Sequence, residues 1–422
     1  MKRKILYLTA LVLIFLTGCS TASPLLLVNP AHPAAVKFDD YQTQMEIREE
    51  NALTKEFADS LKDFSFASGA TIFAAEQGNI NYSPVSLYLA LALTAEGAKG
   101  DTQTQLLNAL QVQNMSADDL SEQCARLYRL LYGENEIGRV RPAVSLWLDK
   151  GERLTSAFAE TAGEDYYAEV YSADLQNEKT HQAMGEWIRS KTSGQLAPQM
   201  TIAEDTLMTL LTCLDFEDQW IDEFRKENNK KGNFTREDGS TLQVEYLCSS
   251  YNPYAYYDGE GFIRASLPMK NGNNMVFVLP DEGIPASELA SDPDTLKNAL
   301  SGGREDYGEV IFEIPKFDFT SSFDLKNTVA ALGAGSIFGL EADLSGISGK
   351  QLFLSGVKQQ SRIAVDEKGV SAAAFTEILY AGAAMMQEKV VEMVLDRPFI
   401  YAVVAQNGTI LFMGVCQVPT EA

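Results

Sequence analysis

The sequence predicts one continuous domain of the α+β class, and three observations support that prediction. Helical amphipathic periodicity dominates the first half of the chain, at residues 52–71, 86–96, 102–110, 118–132 and 179–192. Apolar runs bounded by Gly, Asn and Pro, which are typical of strands, dominate the second half, at residues 262–269, 275–279, 310–317, 391–395, 400–405 and 409–415. No linker, repeat or low-complexity segment interrupts the chain after about residue 46.

Local signals mark where several of these elements begin and end. Gly78-Asn79 and Gly97 are typical of helix ends, and Thr102 after Asp101 is typical of a helix start. Between the last two strands, Gln406-Asn407-Gly408 predicts a hairpin, because Asn-Gly takes the left-handed backbone conformation that tight hairpin turns need.

The composition argues against several classes of function. The chain has 34 basic and 58 acidic side chains, a formal net charge of −24, which argues against a nucleic-acid partner because phosphate binding needs clustered Lys and Arg. The only two histidines are His32 and His181, and no metal-ligand spacing occurs. We therefore expect no metal, no cofactor and no nucleic-acid partner.

The first nineteen residues predict an export signal. Lys2, Arg3 and Lys4 precede an apolar stretch at 5–16, which at about 1.5 Å per residue is too short to cross a hydrocarbon core of roughly 30 Å. Leu16-Thr17-Gly18-Cys19 resembles a bacterial lipobox, in which the cysteine becomes the acylated first residue of the mature chain. An ordinary signal peptide with an incidental cysteine is the alternative.

These signals predict the organisation of the whole chain. We expect residues 1–18 to be a lipoprotein signal peptide, Cys19 to carry the lipid, and residues 19–45, which include three prolines, to form a flexible tether. Residues 46–422 then form a single domain. The predicted location is extracytoplasmic, with the protein anchored by its lipid to the bacterial cell envelope.

The four remaining cysteines, Cys124, Cys213, Cys248 and Cys416, are widely spaced and include no C-x-x-C motif. Disulfide pairing stays open, although Cys213 and Cys416 lie in apolar runs that favour buried free thiols. A hydrolase is the least supported function, because no G-x-S-x-G motif accompanies His181. We expect His181 to be a surface helix residue and the chain not to be an enzyme.

The stretch at 366–388 is the most informative part of the sequence. At the strand period of two, one face carries Val370, Ala372, Ala374, Thr376, Ile378 and Tyr380, and the other carries Ser371, Ala373, Phe375, Glu377 and Leu379. The first face has no charged residue. Taken alone, the alanines favour a helix, and the alternative is a buried strand followed by an accessible loop.

Motifs in order along the chain resemble those of the serpin family. They include NINYSPVS at 79–86, GAKGDT at 97–102, LPDE at 279–282, IPKF at 314–317, EADLSGI at 341–347, RPF at 397–399 and ILFMG at 410–414. Residues 187–194 and 210–224 match two further family segments. The resemblance extends from about residue 50 to residue 418.

This resemblance implies a serpin fold of three β-sheets and about eight or nine helices, with a metastable native state and an exposed reactive-centre loop at about residues 367–390. A serine protease attacks such a loop, forms an acyl-enzyme and is trapped when the loop inserts into the central sheet as a new strand. The hinge of the loop falls on Glu367, Lys368, Gly369, Val370, Ser371, Ala372, Ala373 and Ala374.

The two faces of the loop decide whether insertion is feasible, because a charge entering the sheet interior would slow it. Val370, Ala372 and Ala374 carry no charge. Phe375 departs from the small residue usual in the family, but it lies on the Glu377 face, which we expect to be less buried. We therefore expect an inhibitor, with a non-inhibitory serpin acting as a surface binding or scaffold protein as the alternative.

The resemblance also implies the cleaved bond. Counting sixteen residues from Glu367 places it at Ala383–Ala384, and a shift to Gly382, Met385 or Met386 stays open. Small residues there favour elastase-like or subtilisin-like proteases as partners. We expect the protein to be a monomer that contacts the membrane through the lipid on Cys19.

Five further residues correspond to family positions that control loop entry. Trp220 corresponds to the tryptophan of the breach, where the loop enters the central sheet. Ser83 and Ser86 belong to the family's Ser-Pro-x-Ser motif in the shutter beneath it. Their usual Asn and His partners are replaced by Thr212 and Gln359, which predicts a substituted polar pair.

Overall fold

The computed structural model describes residues 23–204, 206–370 and 389–419. Its α-helices within these ranges are α1 (Tyr41–Glu50), α2 (Lys55–Ala75), α3 (Pro84–Gly97), α4 (Gly100–Ala109), α5 (Ala117–Leu131), α6 (Ser156–Glu164), α7 (Glu178–Lys191), α8 (Ala286–Leu289), α9 (Pro293–Ser301), α10 (Lys326–Val329) and α11 (Ser345–Ser348).

The strands in the same ranges are β1 (Leu25–Val28), β2 (Ile80–Tyr82), β3 (Gly133–Glu134), β4 (Arg139–Asp149), β5 (Glu169–Ala173), β6 (Met208–Gln219), β7 (Lys230–Thr235), β8 (Thr241–Gly259), β9 (Phe262–Pro268), β10 (Asn274–Pro280), β11 (Arg304–Pro315), β12 (Phe317–Asp324), β13 (Val357–Val365), β14 (Gly369–Val370), β15 (Val390–Val394), β16 (Phe399–Val404) and β17 (Ile410–Cys416). The predicted α+β class is confirmed. Helices α2, α3, α4, α5 and α7 occupy the five segments that the periodicity predicted.

The larger part of the core lies between the two sheets and around α3. This helix is buried along almost its whole length and begins with Pro84, whose fixed backbone angle suits the first helical position. A helix that is apolar on every side is stable only inside a core, and α3 packs there against α2, α5 and β17. It fixes Ser83 and Ser86 beneath the central sheet.

The central sheet has the strand order β1-β5-β4-β6-β14-β13-β12, with β3 beside β4. Strand β6 is antiparallel to β4 and parallel to β13. The back face of the sheet contacts the main core through residues such as Leu214 and Phe216. Helix α7 covers part of the front face, where its Trp187 and Ile188 share a second apolar cluster with Cys213.

The second sheet is continuous where the resemblance implies two separate sheets, and the helices agree with the expected eight or nine once the shortest are set aside. Its order is β15-β11-β8-β9-β10-β16-β17-β2, with β7 beside β8. The nineteen-residue strand β8 pairs with β7 at one end and with β9 at the other, and it thereby joins regions that three separate sheets would divide. The described ranges contain two sheets and eleven helices, of which α8, α10 and α11 have only four residues each.

The prediction of a flexible tether at residues 19–45 is wrong where the structure describes that range. Strand β1 pairs antiparallel with β5, with Leu25 opposite Ser172 and Leu26 opposite Tyr171, and α1 begins at Tyr41. The physical reason is the open edge of β5, whose unpaired backbone groups accept a short apolar segment as a further strand.

Within the described ranges all four cysteines have free thiols; Cys124, Cys213 and Cys416 are buried, and Cys248 is partly buried. No helix in those ranges is both long enough and apolar enough to cross a membrane.

Candidate functional site

Two parallel strands of the central sheet separate along their length and leave a seam between them. Strands β6 and β13 pair from Leu210–Val357 to Cys213–Gln360. Beyond that point, residues 214–217 and 361–364 of the described strands do not pair with each other. At the far end β14 lies between the two strands, and Val370 pairs with Asp218 of β6 and with Val365 of β13. The open end of the seam therefore holds the first residues of an additional strand.

A tight turn at residues 366–369 directs the chain into this seam. The Asp366 amide donates to the Gly369 carbonyl at 3.1 Å, which closes the turn. The Asp366 side chain accepts from the amides of Lys368 at 2.8 Å and Gly369 at 3.2 Å. An aspartate that bonds its own downstream backbone in this way stabilises a reversal of the chain. Glu367 and Lys368 thus lie at the tip of the turn.

Gly369 is required by the close approach of β14 to β6. A Cβ atom at this position would lie 2.1 Å from the backbone oxygen of Asp218 and 2.8 Å from the Cα atom of Gln219. No side chain fits at such distances without moving one of the strands. Glycine therefore lets the hinge enter the sheet, and the next residue, Val370, is buried in the core.

Glu367 is held outside the sheet by two polar partners. Its Oε1 atom lies 2.6 Å from Lys316 Nζ and accepts from Asn229 Nδ2 at 2.8 Å. Burial acts to raise the pKa of this carboxyl group, but the hydrogen bonds from Lys316 and Asn229 outweigh burial and hold the pKa below its usual value. Glu367 is therefore ionised at neutral pH, and it ties the turn to Lys316 between β11 and β12 and to Asn229 just before β7.

Trp220 and Phe224 bind the carbonyl groups of the turn. Trp220 donates from Nε1 to the Asp366 carbonyl and from its backbone amide to the Lys368 carbonyl, each at 2.9 Å. The Phe224 amide donates to the Glu367 carbonyl at 2.8 Å. The predicted breach tryptophan thus contacts the hinge directly.

Ser83, Ser86, Thr212 and Gln359 come together at the closed end of the seam. Gln359 accepts from the Ser83 amide at 2.9 Å and donates to the Ser83 carbonyl at 2.8 Å, so one side-chain amide satisfies both backbone groups. The two serine hydroxyl groups lie 2.9 Å apart. Thr212 Oγ1 lies 3.3 Å from the carbonyls of Ser86 and of Ala143. All four polar residues are buried.

This network spans the two strands that must part if a strand is to enter fully. Gln359 and Thr212 are directly opposite each other in the β6–β13 register. Each of them bonds the beginning of α3, so the helix holds both strands together from behind. The substituted pair is fully hydrogen-bonded to the backbone, which buried polar groups require.

The remaining predicted residues divide into two groups. His181 lies on α7 with Nε2 2.8 Å from the Leu175 carbonyl. The described residues contain no cluster of three or more His, Cys, Asp or Glu side chains that could hold a metal. Several predicted residues lie outside the described ranges: Cys19, Ser371, Ala372, Ala373, Ala374, Gly382, Ala383, Ala384, Met385 and Met386.

Two residues that contact Glu367, Asn229 and Lys316, were not predicted from the sequence. Lys316 occurs in the IPKF motif, and this motif is the signal from which it could have been identified. Asn229 gave no signal, because its role depends on a contact with Glu367 across 138 positions of the chain.

The central sheet already contains the first residues of an additional strand, and these residues come from the same chain. Proteins with this arrangement belong to the class in which a segment of the chain can be added to a sheet as a strand. The family model described as Serpin (serine protease inhibitor) matches residues 59–419. The chain therefore belongs to the serpin family, which the family model describes as serine protease inhibitors.

Relatives and solved structures agree with this assignment. Serpin-ZXA of Oryza sativa subsp. japonica is 29% identical over 360 residues, which cover 80% of this chain and 89% of the rice protein. Alpha-1-antiproteinase of Mus saxicola is 26% identical over 399 residues, which cover 92% of this chain and 95% of the mouse protein. The crystal structure of the thermophilic serpin tengpin in its native state matches with a TM-score of 0.77 at 24% identity, covering 94% of this chain and 99% of tengpin. At that identity the likeness shows the fold.

Removing the Gln359 amide tests the network at the closed end of the seam. We expect Gln359→Ala to lower the free energy of unfolding by about 2–4 kcal/mol, because leaving a buried N–H or C=O group without a partner costs about 1–3 kcal/mol each. The measurement is chemical denaturation. The control is Gln360→Ala, on the opposite face, which loses only a bond to Ser322. Equal losses in the two variants would contradict the structural role given to Gln359.

Acidification tests the contact between Glu367 and Lys316. A carboxyl group whose pKa is lowered on folding stabilises the fold above its usual pKa, near 4.5, and loses that effect as the pH falls through the lowered value. We expect hydrogen exchange of residues 366–370, corrected for the intrinsic pH dependence, to accelerate below about pH 4.5. In Glu367→Gln the acceleration below about pH 4.5 should be absent, and any change near pH 6 in both proteins belongs to Asp218, which pairs with Val370 and whose pKa burial raises to about 6. An acid response in both proteins would assign the effect to another group.

Proposed function

We propose that the protein inhibits serine proteases as a suicide substrate. The observation that carries this proposal is the pairing of Gly369 and Val370 with both strands at the open end of the seam. The hinge is thus positioned to continue inward once the loop is cut. Inhibition of proteases in general follows from the family, and the target class and the trapping mechanism are part of the proposal.

The register of Val370 sets the face on which every later loop residue would enter. Val370, Asp218 and Val365 share the buried back face. If insertion continues in this register, Ala372 and Ala374 face the core, next to Phe216 and Leu214 of β6. The small uncharged residues therefore meet the apolar side of the sheet, where a charge would be costly.

The loop face that carries Phe375 and Glu377 would contact the front face of the central sheet. The same register sets Glu377 opposite Lys358, a partly buried lysine on the front face of β13. Phe375 falls beside Cys213, which α7 covers. This part of the front face is apolar and buried, so a phenylalanine that departs from the family pattern would have a place to pack. The register thereby supports insertion as far as Glu377.

Trapping follows from ordinary serine-protease chemistry. The protease serine attacks the carbonyl carbon of Ala383, the bond to the Ala384 nitrogen breaks, and the loop remains bound to the enzyme as an ester. Insertion of the roughly fourteen residues from Val370 to Ala383, at about 3.3 Å each, carries the enzyme about 46 Å. We propose that this movement distorts its oxyanion hole, and losing one oxyanion donor slows the reaction by about 10²–10³.

The sequence around the cut supports elastase-like or subtilisin-like targets. Ala383 and Ala384 suit shallow specificity pockets, and no Lys or Arg occurs from Ser371 to Gln387 that would suit trypsin-like enzymes. We further propose that the protein is a monomer, exported and anchored to the bacterial envelope through a lipid on Cys19. The lipobox-like residues 16–19 support this location.

Two arginine substitutions on opposite faces of the loop test the mechanism. With an elastase or subtilisin, the unaltered protein should form an adduct that survives SDS, and mass spectrometry of the released peptide should locate the cut at Ala383–Ala384. Ala372→Arg should abolish the adduct and be cleaved as a substrate, because its charge would enter the core. Ala373→Arg, on the front face, should retain the adduct.

Failure to trap would support the other function proposed for this family member. Simple cleavage of the unaltered loop by elastases, subtilisins and chymotrypsins, without any adduct, would contradict inhibition. It would favour a non-inhibitory serpin that acts as a binding or scaffold protein. The two bonds that Gln359 forms with Ser83 would then serve to keep the seam shut.

A further inference from the structure

Strand β1 exposes a short apolar surface at the edge of the central sheet. Leu25, Leu26 and Leu27 are 60%, 40% and 39% exposed. Within the described ranges they are the only three consecutive large apolar residues with this exposure. Val28, in contrast, packs against the core beside Gly163. The strand is therefore fixed to the domain at one end while its leucines remain accessible to a partner.

The strand register places these leucines far from the hinge. Leu26 lies opposite Tyr171, Tyr171 opposite Trp147, and Trp147 opposite Thr209 of β6. Nine residues separate Thr209 from Asp218, where the hinge pairs, which is about 30 Å at about 3.3 Å per residue. Four strand spacings of about 4.8 Å add about 19 Å sideways. The leucines and the hinge thus lie about 35 Å apart, at opposite ends of the sheet.

The chain between the proposed lipid and β1 is short. Cys19 and Leu25 are six positions apart, which spans at most about 22 Å of extended chain at about 3.6 Å per residue. If β1 were not paired, the next element, α1, would begin twenty-two positions from Cys19, and the link would reach nearly 80 Å, at about 3.6 Å per residue. Pairing of β1 with β5 therefore holds this end of the domain close to any membrane that carries the lipid.

We infer that β1 is a membrane-facing strand whose three leucines lie in the interfacial region of the lipid bilayer. The domain then stands with its hinge end directed away from the membrane. This inference rests on the proposed lipid on Cys19. Exposed leucines gain by leaving water for the acyl boundary, whereas a chain as acidic as this one, with a formal net charge of −24 over the full sequence, is repelled from anionic lipid. The apolar strand β1 is thus the part of this end of the domain for which contact with a bilayer is favourable.

Tryptophan reporters in the full-length lipidated protein test this orientation. The native Trp147, Trp187 and Trp220 are buried and supply a constant background. The reporters are Leu25→Trp on the strand and Lys150→Trp on the neighbouring turn, where the lysine side chain is 66% exposed. Val390→Trp, at the loop end and 52% exposed in the native protein, is the matched control.

Each reporter is measured in vesicles of phosphatidylethanolamine and phosphatidylglycerol that contain a lipid with a spin-labelled head group. We expect loss of most of the added emission from Leu25→Trp and Lys150→Trp, and no loss from Val390→Trp. Quenching of Leu25→Trp alone would mean that β1 leaves the domain at the membrane, and it would overturn the inference.

Flotation of the same vesicles separates failure of the inference from failure of the proposed anchor. Protein that floats with the vesicles but shows no quenching of Leu25→Trp overturns the membrane-facing strand and leaves the lipid anchor intact. If the unaltered protein does not float, the anchor and the inference both fail, while protease trapping can still be measured. A Cys19→Ser variant that dimerises in solution only when its leucines are intact would assign the strand to a second copy of the chain and overturn the inference.

Discussion

The parallel contact between β6 and β13 is the interaction on which the rest of the structure depends. It closes one end of the seam from Leu210–Val357 to Cys213–Gln360, and a strand that enters fully must break these pairs. At the other end the seam already holds Gly369 and Val370. Under the proposed mechanism, the same pair of strands both resists the loop and begins to accept it, and the balance between these two ends would determine whether the loop inserts.

Different physical effects set that balance at the two ends. At the closed end the cost is polar, because parting the strands separates Gln359 and Thr212, which both bond the start of α3. At the open end the gain is in backbone pairing, since facing residues of the seam do not pair with each other there. An entering strand would supply their partners. Under the proposed mechanism, a native state that keeps such a strand outside would be less stable than the inserted one, which is the physical content of metastability.

The sequence predicted those parts of the fold whose signal is local. Helices α2 and α5 have clear amphipathic periods, and the last strands are bounded by turn residues. Strands β4 and β6 were harder, because central strands buried on both faces lack alternation. The residues of β1 were predicted to belong to the flexible tether. Four residues between prolines show no recognisable strand pattern, and their pairing becomes evident only once the open edge of β5 is known. The partners of Glu367 and Gln359 come from distant parts of the chain, and periodicity carries no information about them.

The melting temperature of the nicked protein tests the central claim most directly. The unaltered protein is cut within residues 371–388 by a protease that it does not trap, and the intact and nicked forms are heated while their circular dichroism is recorded. If the seam takes up the freed strand, the nicked form melts at a clearly higher temperature than the intact form, because the inserted strand completes the pairing of β6 and β13. A nicked form that melts at the same temperature or lower would contradict the account.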